Sequence, residues 1–76
     1  MKPQSEIEIR RRLAERVATA RKRKGWTQQV LAERCDLPRS YIADVEGERR
    51  NPSLRTLLRV SNALGIPIHE LFLDPV

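Results

Sequence analysis

The chain has 76 residues, 39% of them apolar and 33% charged, with a formal charge of +5; this excludes a second domain and a disordered chain and leaves one small globular domain. A single cysteine, Cys35, and a single histidine, His69, exclude an intramolecular disulfide and a zinc site built from His and Cys within the chain. No apolar run approaches a membrane span and no hydrophobic signal segment is present, so a cytoplasmic protein without a cofactor is expected.

The charge is polarised. Between residues 10 and 24 lie Arg10, Arg11, Arg12, Arg16, Arg21, Lys22, Arg23 and Lys24, opposed only by Glu15. From Val60 onward there is no Lys or Arg, whereas Glu70 and Asp74 are present. Such a basic side attracts polyanions, and Arg suits forked contacts to phosphate and guanine; a merely solvated basic face is the alternative.

In chain order, Ser5 followed by Glu8 forms a capping-box pattern, and a first helix is expected over about residues 6–24. Ile9, Leu13, Val17 and Ala20 share one face of it. Gly25 is placed as its left-handed C-cap, with Lys22 and Lys24 in the last turn favouring the helix dipole. Thr27 caps a second helix from Gln28 to about Arg34, on which Leu31 and Cys35 face the same way. Ala32 is small where another helix can cross closely, and Cys35 reads as a small buried residue. The stretch Cys35-Asp36-Leu37-Pro38 breaks the pattern. A third helix is expected from Pro38 or Arg39 to Glu46, ended by Gly47, because proline is tolerated at a helix start and not inside one.

Glu48 to Pro52 is a charged loop. Ser53 caps a fourth helix over about residues 53–64 with Leu54, Leu57, Leu58 and Leu64 as its apolar positions and Val60 on the flank, ended by Gly65. Pro67 opens a fifth short helix over about residues 68–73. No alternating strand pattern is present, so the fold class is all-α, with five helices too short to stand without tertiary packing.

The third helix carries the functional signal. Ile42 and Val45 are its inward positions, and Arg39, Ser40, Ala43 and Asp44 make an outer face that is polar and short-chained. A helix that only covered a core would be less stripped; a helix entering a major groove needs such reach without bulk. Residues 28–46 therefore form a candidate helix-turn-helix. No nucleophile–base pair, phosphate loop or metal-ligand cluster is present, so an enzyme is not expected. The three aromatic residues form no stacking platform for RNA.

Four segments carry a family resemblance: Trp26-Thr27-Gln28-Gln29-Val30-Leu31-Ala32, Tyr41-Ile42-Ala43-Asp44-Val45-Glu46-Gly47, Arg50-Asn51-Pro52-Ser53-Leu54 and Ala63-Leu64-Gly65-Ile66. In this register the chain resembles the phage repressor/Cro-type, XRE-like helix-turn-helix regulators over about residues 10–73. The resemblance implies a compact five-helix domain that binds double-stranded DNA. It implies base reading by Arg39, Ser40, Ala43 and Asp44, and phosphate contacts from Arg21, Thr27, Gln28, Tyr41, Arg49, Arg50 and Asn51. Asp44 either accepts from a cytosine amino group or orients Arg39. Glu46 matches the carboxylate that orients Arg21.

Two departures stand out. Asp36 holds a turn position that is usually glycine, and Val30 replaces a common acidic residue, so the capping box with Thr27 is lost. Trp26 reads as a core plug rather than a stacking platform, and Arg10-Arg11-Arg12 as a solvated face. The resemblance further implies a nucleoid-associated homodimer acting on a pseudo-palindromic operator, with Ile66, Ile68 and Leu73 at the dimer surface. Chains of this length in the family include restriction-modification controller proteins and small phage repressors. The alternative is an antitoxin-like adaptor whose main partner is another protein.

Overall fold

A computed structural model describes residues 3–73. Four α-helices follow one another as α1 (Glu6–Arg23), α2 (Gln28–Cys35), α3 (Arg39–Glu46) and α4 (Leu54–Leu64), and a 3₁₀ helix (Ile68–Phe72) ends the fold. Among the described residues there is no strand.

Three helices start on the caps expected from the sequence. The Ser5 hydroxyl accepts from the Glu8 amide at 3.1 Å, Thr27 from Val30 at 3.1 Å and Ser53 from Thr56 at 3.2 Å, each cap contributing about 1 kcal/mol. Pro38 precedes α3 with no side-chain cap.

All four α-helices end in the same way. The amide two residues past each last turn bonds back six-to-one, and its predecessor five-to-two, which satisfies carbonyls that the helix leaves open. The pairs are Trp26 to Arg21 with Gly25 to Lys22, Leu37 to Ala32 with Asp36 to Glu33, Arg49 to Asp44 with Glu48 to Val45, and Ile66 to Ser61 with Gly65 to Asn62. This motif needs one left-handed residue. Gly25 and Gly65 supply it at φ 73° and 72°, and Asp36 and Glu48 at φ 58° and 62°. Asp36 thus makes the tight turn that glycine usually makes. At the end of α3 the sequence pointed to Gly47, but Gly47 has φ −90° and Glu48 is the left-handed residue.

The core gathers Leu13 and Val17 from α1, Leu31, Ala32 and Cys35 from α2, Ile42 and Val45 from α3, Val60 and Leu64 from α4, and Leu71. The small side chain of Ala32 lies fully buried in this cluster, and α2 packs against both α3 and α4. Trp26 packs against the cluster edge as expected of a plug. Lys24 lies 5.1 Å and Arg34 4.6 Å from its ring centre.

Two expectations are corrected. On α4 the inward stripe is Leu57, Val60, Ser61 and Leu64, spaced by three, one and three, so Val60 is buried rather than flanking. Leu54 and Leu58 are 69% and 45% exposed. The last segment is not an α-helix. Its bonds run three residues back, from Glu70 to the Pro67 carbonyl at 3.0 Å, because five residues after a proline are too few to propagate four-residue bonds while placing Leu71 in the core. Leu73 leaves the helix in an extended conformation.

Candidate nucleic-acid interface

Burial of Ile42 and Val45 sets the roll of α3 about its axis. With that face inward, Arg39 and Ser40 are exposed, and Ala43 and Asp44 are half-exposed beside them. The structure therefore brings the four expected base-reading residues to one outward strip. Each buried aliphatic anchor contributes about 1.5–3 kcal/mol, which ties the orientation of the strip to the core.

A polar relay joins three helices at one end of the strip. Arg21 on α1 meets Glu46 on α3 in a two-pronged ion pair, Nε to Oε2 at 2.7 Å and Nη2 to Oε1 at 3.0 Å. Arg21 Nη1 also donates to the Trp26 carbonyl at 2.7 Å. Hydrogen bonding to Glu46 raises the Arg21 pKa above its ordinary value against the opposing effect of burial. Gln28, the first residue of α2, donates to Glu46 Oε1 at 3.2 Å, and its own Oε1 accepts from Arg39 Nη1 at 3.3 Å. Arg39 is thus held by Gln28. Orienting Arg39 was one of the two roles expected of Asp44, and among the described residues no bond joins the two.

Asp44 instead faces the loop after α3. Its Oδ1 accepts from Arg49 Nε at 3.3 Å and its Oδ2 from Arg50 Nη2 at 3.5 Å. Arg49 Nη2 also donates to the Ala43 carbonyl at 3.4 Å. The Arg50 guanidinium lies 4.3 Å over the Tyr41 ring. Glycine at 47 makes room for this arrangement, since a Cβ there would lie 2.3 Å from Arg49 Nη1.

The remaining expected residues have other engagements. The Thr27 hydroxyl caps α2. Asn51 Nδ2 donates to Glu6 Oε1 at the start of α1. Arg21 turns its donors inward, to Glu46 and the Trp26 carbonyl. Ile66 and Ile68 are half-buried against the core, and Leu73 is 45% exposed. Sequence reasoning missed three things: Gln28 as a bridge, the double engagement of Asp44, and the exposure of Leu54 and Leu58. The signal for the second was present, as opposite charges five and six residues apart across a glycine.

Among the described residues no helix is long and apolar enough to cross a membrane, and no three His, Cys, Asp or Glu side chains group to hold a metal ion.

This pairing of two short helices across a left-handed Asp36 turn is a helix-turn-helix. Residues 17–71 match the helix-turn-helix family HTH_3, and the chain belongs to that XRE-like family of transcriptional regulators. It is 48% identical over 59 residues to the immunity repressor protein of Bacillus phage phi105, a match covering 78% of this chain and 41% of the repressor. The crystal structure of the hypothetical transcription factor NHTF from Neisseria is similar at a TM-score of 0.87 and 35% identity, covering 99% of this chain and 86% of that one. The restriction-modification controller protein C.AhdI from Aeromonas hydrophila is similar at a TM-score of 0.80 and 38% identity, covering 83% of this chain and 96% of that one. The chain spans 41% of the phage repressor's length and 66% of the length of a hypothetical transcription factor from Neisseria meningitidis.

Proposed function

We propose that the protein is a sequence-specific double-stranded DNA-binding regulator of transcription that acts as a homodimer on a pseudo-palindromic operator. The observation that carries this reading is the outward strip of α3. Arg39 and Ser40 project from a helix whose other side is locked into the core, and Gln28 holds Arg39 at the start of α2. A guanidinium presented in that way suits a two-pronged contact to guanine in the major groove. Arg50, stacked on Tyr41, and Asn51 lie where the loop would run along phosphates.

One such helix reads too few base pairs for useful selectivity, and a two-fold dimer would place two half-sites about 34 Å apart. Leu54, Leu58 and Leu73 supply exposed apolar surface for it, with half-buried Ile66 and Ile68 as further members. The names of the similar proteins, a repressor and a controller, support a regulatory role.

Selection of binding sites from random duplex DNA tests the proposal. A two-fold symmetric enriched site is expected. Arg39→Ala should then lose about 1–3 kcal/mol on that site and relax one base position per half-site. Absence of enrichment, with weak binding indifferent to salt, would overturn it.

A further inference from the structure

We infer that Asp44 is a specificity-determining residue: its carboxylate occupies the loop arginines Arg49 and Arg50 in the free protein and so suppresses binding to DNA of arbitrary sequence. The inference rests on the DNA-binding reading above and adds to it a residue that works against binding.

Three features lead to it. First, one carboxylate receives both arginines, at 3.3 and 3.5 Å, one on each oxygen. Second, the turn that closes α3, of the same kind that closes the other α-helices, brings the loop back beside Asp44. Glu48 at φ 62° turns the chain back so that the Arg49 amide bonds to the Asp44 carbonyl at 2.8 Å, and Gly47 leaves space for the Arg49 guanidinium. Third, Asp44 sits on the same outward strip as Arg39 and Ser40, at positions 39, 40, 43 and 44 of one helix. A DNA duplex laid against that strip brings its phosphates close to this negative charge.

Magnitudes decide what the clamp can do. The side chains are 63%, 44% and 34% exposed for Arg49, Arg50 and Asp44, and exposed pairs of this kind contribute about 0.2–1 kcal/mol each. They are weak enough for phosphates to displace, yet each arginine that moves fully onto a phosphate gives up its own bond to Asp44. Arbitrary duplex returns only counterion release in exchange. A cognate site can also offer Asp44 a base-edge amino donor, from cytosine or adenine, which removes the penalty there alone. The carboxylate therefore widens the gap between cognate and arbitrary DNA by lowering the second affinity.

The test uses the full chain and random-sequence duplex, with fluorescence anisotropy across a salt series. Asp44→Asn keeps the shape and removes the charge. It should bind random duplex about three- to tenfold more tightly, as expected from releasing two exposed pairs, with a log-affinity against log-salt slope steeper by about one to two. Arg50→Ala should weaken random binding more in the Asp44→Asn background than in the parent, a coupling that a purely structural role for Asp44 would not produce. The inference is overturned if Asp44→Asn binds random duplex no more tightly than the parent, or if Arg50→Ala costs the same in both backgrounds. A parent that binds no duplex in a salt-dependent way overturns the DNA-binding reading itself, and this inference with it.

Discussion

Replacing Glu46 with alanine removes the carboxylate that holds Arg21 at 2.7 and 3.0 Å. The two side chains are only 11% and 9% exposed, so the guanidinium that remains stays inside with the Trp26 carbonyl as its surviving acceptor among these bonds. Breaking one side of a buried ion pair costs about 3–5 kcal/mol, because the other charge is left uncompensated. At roughly 0.05–0.15 kcal/mol per residue a domain of this size has about 4–11 kcal/mol to lose, so Glu46→Ala should remove a large share of it. Urea unfolding followed by helical circular dichroism measures the loss. The paired change Arg21→Met with Glu46→Leu, which removes both charges and keeps volume, should recover most of the stability. It forfeits the bonds of Arg21 to the Trp26 carbonyl and of Gln28 to Glu46, worth about 1 kcal/mol each. A Glu46→Ala loss within the roughly 0.5 kcal/mol of ordinary surface changes would refute the reasoning. So would a paired variant no more stable than Glu46→Ala.

Asp36 holds φ 58°, a conformation that costs an L residue about 1–2 kcal/mol and glycine almost nothing. Asp36→Gly should therefore hold or raise the melting temperature and Asp36→Val should lower it. Burial raises the Cys35 thiol to about 11 from its ordinary value. The folded state thus keeps its proton longer than the unfolded state, and the associated stability is present below the unfolded pKa and lost as pH rises towards 11. Unfolding measured across that alkaline window should show the loss, Cys35→Ala should lessen it, and the native thiol should react slowly with thiol reagents at pH 8. Leu54→Ser with Leu58→Ser changes side chains that are largely exposed in the single chain. If the proposed homodimer uses this surface, sedimentation should show weakened self-association with helical content retained; unchanged self-association would place the interface elsewhere.

Much of the fold was legible because helix signals are local. Ser5, Thr27 and Ser53 announce their caps within three residues, and Gly25 and Gly65 announce the ends of α1 and α4. The inward pairing of Ile42 and Val45 follows from spacing alone, and with it the outward strip of α3. Less legible was the phase of α4. Its leucines at 54, 57, 58 and 64 outline a stripe by themselves, and a valine and a serine at 60 and 61 turned it. A buried serine satisfied by its own helix, donating to the Leu58 carbonyl at 3.1 Å, leaves no mark in a hydrophobic pattern.

The sequence by itself determined where the four α-helices run and which side of α3 is available, since both depend on residues within a turn or two of each other. Tertiary structure decided the partners of polar groups that lie far apart in the chain. Arg39 goes to Gln28 and Asn51 to Glu6. It also decided that the last segment closes as a 3₁₀ turn around Leu71. The physical reason is reach: a long polar side chain can meet any of several partners, and only the relative placement of the helices selects among them.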